Sequence, residues 1–136
     1  AAHRRLPHVA VTCADGGRLP YGDETFDLLL QFTVFSSILD KALCYTVASE
    51  MRRVLKPDGL ILWYDFWINP VNRETHGIRP QEVREYFPNS RYSFERITLA
   101  PPVARLLVPL SWWGAQGLEA TRILNTHYLA AIRPIR

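Results

Sequence analysis

A chain of 136 residues, 48% hydrophobic and 21% charged with a net charge of +3, fits one globular domain with a real core. The charge is too small and the arginines too scattered to argue for nucleic-acid binding, and no apolar run reaches the ~20 residues of a transmembrane span. Cys13 and Cys44 do not make a disulfide framework and read as buried free thiols, which suits a cytoplasmic protein.

In chain order, "HVAVTCAD" is β-branched and ends on an acid, which predicts a strand over Val9 to Cys13. Gly16, Gly17, Pro20 and Gly22 then enforce a loop. In "FDLLLQFTVF" three consecutive leucines, Leu28 to Leu30, require both faces of a strand to be buried, which predicts a central strand of a mostly parallel sheet. Asp40 reads as a helix N-cap, followed by an apolar stripe at Leu43, Val47, Met51, Val54 and Leu55. Arg52, Arg53 and Lys56 suit the negative end of the helix dipole, and Pro57 and Gly59 end the helix. "LILWYDF" is a second strand apolar on both faces, so the three elements form a βαβ crossover.

Beyond Pro70, "RPQEVREYFP" predicts a short helix with Pro80 in its first turn, and "YSFERITLA" a strand. The apolar stretch "PPVARLLVPLSWWGAQGLEATRIL" predicts helical pieces broken at Pro109 and Gly114, and "THYLAAI" a last strand. No long crossover helix separates the last two strands, so they are expected to pair antiparallel around an apolar excursion. In an open α/β sheet, ligands bind beyond the carboxyl ends of the strands, where this chain places Asp15, Gln31 and Asp65.

"CADGGRLPYGDETFDLLLQ" followed by "EMRRVLKPDGLIL" resembles the class I methyltransferases that use S-adenosylmethionine, of the type 11 kind. The resemblance lies in an acid and a small residue ahead of Leu-Pro-aromatic, then Phe-Asp before a buried strand, and later Arg-Val-Leu-Lys-Pro-x-Gly before the next. It implies a Rossmann-like α/β fold, with 1–136 a single partial domain. It also implies roles. Asp15 matches the acid that receives the adenine amino group, Gly16 the small residue whose amide faces the adenine, and Leu19 the apolar residue near that ring. Gln31 and Phe32 match the strand end under the methionine portion of the cofactor. Asp65 and Trp67 match the start of the substrate side, and Trp112 and Trp113 lie where such proteins often place substrate-covering elements. The acceptor implied is small or lipid-like, and no metal is implied.

The pattern departs from the family at its N-terminal side. The glycine-rich loop and the acid that holds the ribose are absent, so the sheet is expected to be incomplete there and cofactor binding by this chain weak or absent. The strand containing Leu28 to Leu30 then loses a neighbour, and either the strand at Val9 to Cys13 shifts across to fill the gap or a second subunit pairs with the exposed edge as a homodimer. Bland readings stand beside these. Asp15 can cap a turn through glycine amides, Gln31 can serve as a structural hydrogen bonder, and Asp65 can be a solvated loop acid. No catalytic acid or base carries over. His3 and His8 have no zinc-ligand spacing and His127 reads as structural, which leaves His76, in the loop "NRETHGIRP", as the candidate base.

Overall fold

The computed structural model describes residues 9–68 and 75–135; His3, His8 and Pro70 lie outside them. Among the described residues four strands form one mixed sheet in the order β1-β2-β4-β3, with β1 at Phe26–Phe32, β2 at Leu55–Phe66, β3 at Ser90–Leu99 and β4 at Asn125–Pro134. β1 and β2 run parallel, while β4 is antiparallel to both β2 and β3. The antiparallel pair expected at the C-terminus is therefore present.

Helix α1, Lys41–Val54, links β1 to β2, and its N-cap is Asp40, whose carboxylate accepts from the Ala42 amide at 2.8 Å. The buried stripe of α1 is Cys44, Ala48, Met51 and Val54. It is rotated from the expected one: Leu43 is exposed and Val47 only half-buried at the margin of the core, both beside the glycine turn at 16–17. After α1 the chain enters β2 at once. Leu55 pairs with Phe26 and Leu60 with Leu28, so residues 56–59 bulge out of register. A side chain at Gly59 would strike Leu55 at 2.6 Å, which is why this tight turn takes glycine. Helix α2, Pro80–Tyr86, starts on its proline as expected.

One face of the sheet is closed by α1 and α2 around Phe35, Ile61, Trp63, Phe87, Ala130 and Ile132. Two expectations fail here. Among the described residues β1 is an edge strand, not a central one, and Leu28, Leu30 and Phe32 are exposed on its other face. Residues 9–13 form no strand and Cys13 is exposed. A strand exists only by pairing with a neighbour, and the loop that follows this segment is tied to α1.

The excursion between β3 and β4 folds as α3, Pro101–Leu107, and α4, Trp112–Ala120. The break falls at residues 108–111, around Pro109. Gly114 does not break the second helix: its amide donates to Ser111 Oγ at 3.0 Å and so belongs to the cap.

Candidate functional site at the carboxyl edge of the sheet

The register places the site. Phe32 pairs with Tyr64, Phe66 with His127, and Leu99 with Asn125. The ends of β1, β2 and β3 and the start of β4 therefore share one edge of the sheet. Gln31, Phe32, Asp65, Trp67 and the whole 100–124 excursion lie along it. Trp112 and Trp113 are on that excursion, the latter 80% exposed.

The glycine turn meets the same edge from the helix side. Asp15 Oδ1 accepts from the Gly17 amide at 2.8 Å, and Asp15 O from the Arg18 amide at 3.0 Å. Asp15 is thus a turn cap, and it is exposed. Side chains built at Gly16 and Gly17 would face Val47, Thr46 and Leu43, in the first half of α1. That half of α1 adjoins the end of β1, so the turn sits near the site edge.

Glu50 and Arg53, which sequence reading passed over as ordinary helix charges, clasp this loop to α1. Glu50 Oε2 accepts from the Leu19 amide at 2.8 Å. Arg53 donates to the Leu19 and Tyr21 carbonyls at 3.1 and 2.9 Å and pairs with Asp23 and Glu50, both at 2.8 Å. The hydrogen bonds from Arg53 and from the Leu19 amide draw the Glu50 pKa down to about 2, and the carboxylates of Glu50 and Asp23 raise that of Arg53. The i,i+3 acid–arginine spacing in "EMRR" was the only sequence signal. The clasp fixes where Asp15, Gly16 and half-buried Leu19 stand relative to β1.

Gln31 and Asp65 are brought together. Gln31 Nε2 donates to Asp65 Oδ2 at 2.9 Å, the Ser36 amide donates to the same oxygen at 3.3 Å, and the Phe66 amide donates to Oδ1 at 2.9 Å. Asp65 is fully buried, not a solvated loop acid, and these bonds offset the cost of burying its carboxylate. Gln31 Oε1 is buried without a partner and so remains available as an acceptor.

Past Asp65, the Trp67 indole donates to the Asn125 carbonyl at 2.7 Å, and the Arg96 guanidinium lies 4.3 Å from the centre of its ring. His76 is pinned by its backbone amide to the Ser36 carbonyl at 3.0 Å, and its Nδ1 is buried without a partner. His127 is buried on the opposite face of the sheet, stacked on Tyr64 at 4.9 Å with Nδ1 3.1 Å from Thr126 Oγ1. Burial lowers its pKa against the opposing pull of Asp65. Among the described residues no helix is long and apolar enough to cross a membrane.

Residues 1–63 match the family described as "Methyltransferase domain". No curated protein matches the chain significantly. Among solved structures, a Pyrococcus horikoshii protein shares 17% identity at a TM-score of 0.66, covering 98% of this chain and 63% of its own. The cyclase SpnF shares 16% at 0.65, covering 99% and 61%. An S-adenosylmethionine-dependent methyltransferase of Mesorhizobium loti shares 14% at 0.61, covering 97% and 74%. The chain spans about three fifths of the length of the first two. The chain therefore has the fold of the class I S-adenosylmethionine-dependent methyltransferases, and its first 63 residues match the family described as "Methyltransferase domain".

Proposed function

We propose that this chain forms part of an S-adenosylmethionine-dependent methyltransferase acting on a small or lipid-like acceptor. The observation that carries the reading is the glycine turn of Asp15 to Leu19, clasped by Glu50 and Arg53 beside the sheet edge where β1 and β2 end. The residues present fit the cofactor. One Asp15 oxygen is taken by the Gly17 amide, and the other can accept from the adenine amino group. Exposed Gly16 would offer its amide to the ring, with Leu19 near it. Gln31 Oε1, an orphaned buried acceptor beside Phe32, suits the ammonium of the methionine portion.

The cofactor supplies an electrophilic methyl group on a sulfonium. The protein's part is to align the acceptor with that group and exclude water, and alignment by itself supplies much of the rate. Trp67 begins the acceptor side, and Trp112 and Trp113 cover it. His76 is the candidate base. The protein works in the cytoplasm, and two copies meet through the free edge of β1.

Asp15→Asn replaces an acceptor oxygen by a donor facing an amine. In any form of the protein that binds the cofactor, affinity should fall by about 1–3 kcal/mol. Titration calorimetry reads this, and an unchanged affinity removes Asp15 from the site. A second reading is a methyltransferase-derived module that binds or assembles without catalysis. The exposed apolar edge of β1 favours it, and saturable cofactor binding without transfer to any acceptor would select it.

A further inference from the structure

A cavity of about 190 Å³ opens beside the acceptor end of the sheet, lined by Trp67, Pro80, Phe94, Arg96 and Tyr128. Its walls are mostly flat and apolar, and a cavity of about 150 Å³ with apolar walls already accommodates benzene. Its one charged group is Arg96. That side chain comes from the core-facing side of β3, in line with Phe94, where an alternating strand would otherwise carry an apolar residue. A position that breaks the pattern of its own strand invites a reason.

Arg96 forms no ion pair among the described residues. The two acids nearest it in the adjoining surface hollow are engaged elsewhere: Glu95 pairs with Arg122, and Glu119 accepts from the Thr98 amide at 3.2 Å. The guanidinium rests instead on the Trp67 ring, 4.3 Å from its centre. With no ion pair among the described residues, its N–H fork can receive an oxyanion in two parallel hydrogen bonds.

The platform is fixed in advance. The Trp67 indole donates to the Asn125 carbonyl at 2.7 Å, and buried Asn125 donates to the Glu119 carbonyl at 3.1 Å. Holding the ring holds the guanidinium, so less side-chain entropy is lost when an anion docks. Tyr128 is buried and contributes its ring to the wall.

We infer that this cavity is a subsite for an acid group carried on a flat apolar body, with Arg96 taking the oxyanion and Trp67, Phe94 and Tyr128 holding the body. The acceptor class becomes an aromatic or similarly planar organic acid. The word acceptor rests on the methyltransferase reading; the binding does not, and it is tested without cofactor.

The full chain is titrated with benzoate and with benzamide, its neutral counterpart, by calorimetry. Benzoate should bind saturably, and benzamide at least about tenfold more weakly, the worth of a charge-assisted pair. Arg96→Gln, at an exposed position that leaves the fold intact, should remove the difference between the two ligands, and Arg96→Lys should restore part of it. Absence of saturable benzoate binding, equal affinity for both ligands, or full preference retained in Arg96→Gln would each overturn the inference. Loss of methyl transfer with the benzoate preference intact would count against the methyltransferase reading alone.

Discussion

Leu29 and Gln31 reach from β1 into a face of the sheet roofed by α1 and α2. Leu28, Leu30 and Phe32 stand on the other face of the same strand and are exposed. Trp63, next along the sheet on the covered side, is fully buried against Phe35, Tyr86 and Phe87, whereas Leu30 is 57% exposed. A run of three leucines states that both faces of a strand seek cover. It does not supply the cover, which comes from whichever elements the topology sends across each face. Here α1 and α2 both go to one side, and among the described residues the other side near β1 is left open, with no strand paired to its outer edge. Such an edge is a template for another chain.

Truncation on each face separates the covered side of the sheet from the open one. Trp63→Ala should cost about 3–5 kcal/mol in denaturant melts, as expected for an aromatic core residue. Leu30→Ala should cost less than about 1 kcal/mol if the open face stays open in solution. A loss at Leu30 as large as that of a buried leucine, together with a concentration-dependent melting temperature, would mean that a second body covers the face.

Acid sharpens the contrast between the clasp on the helix side and the aromatic stack on the other face. Glu50 titrates near 2 in the fold against an ordinary value of 4.5. Its contribution is complete above 4.5 and is lost as pH falls from there toward 2. His127 is held below its ordinary 6.5 by burial, so protons favour the unfolded chain, and stability declines as pH falls below 6.5 toward its lower folded value. Melting temperatures across this range should show an early decline that His127→Gln removes and a later one that Glu50→Gln removes. If neither substitution changes the profile, the acid response belongs to other groups.

The smallest effect on stability is expected on the excursion. Trp112 and Trp113 are exposed, so replacing both by Ala should change stability by no more than about 0.5 kcal/mol while impairing use of the acceptor. A melt that collapses in the double variant would place the two tryptophans in the core.

Local chemistry was legible without any neighbours. The Asp40 cap, the Pro80 start, the glycine at position 59, the β1–α1–β2 order and the antiparallel C-terminal pair follow from dihedral limits, capping and hydrophobic period, which act over a few residues. The turn-capping role of Asp15 was equally available, because its partner is two residues away. Other features depended on residues far apart in the chain. The clasp joins Glu50 and Arg53 to a loop about thirty residues earlier, and the Gln31–Asp65 bond spans 34 positions. The aromatic cavity gathers residues from four separate segments. Likewise, the rotation of the buried stripe of α1, the absence of a strand at Val9 to Cys13 and the edge position of β1 were decided by what lies alongside each segment. Apolar content fixes how strongly a segment seeks burial, but pairing and cover are properties of its neighbours, and only the tertiary structure assigns those.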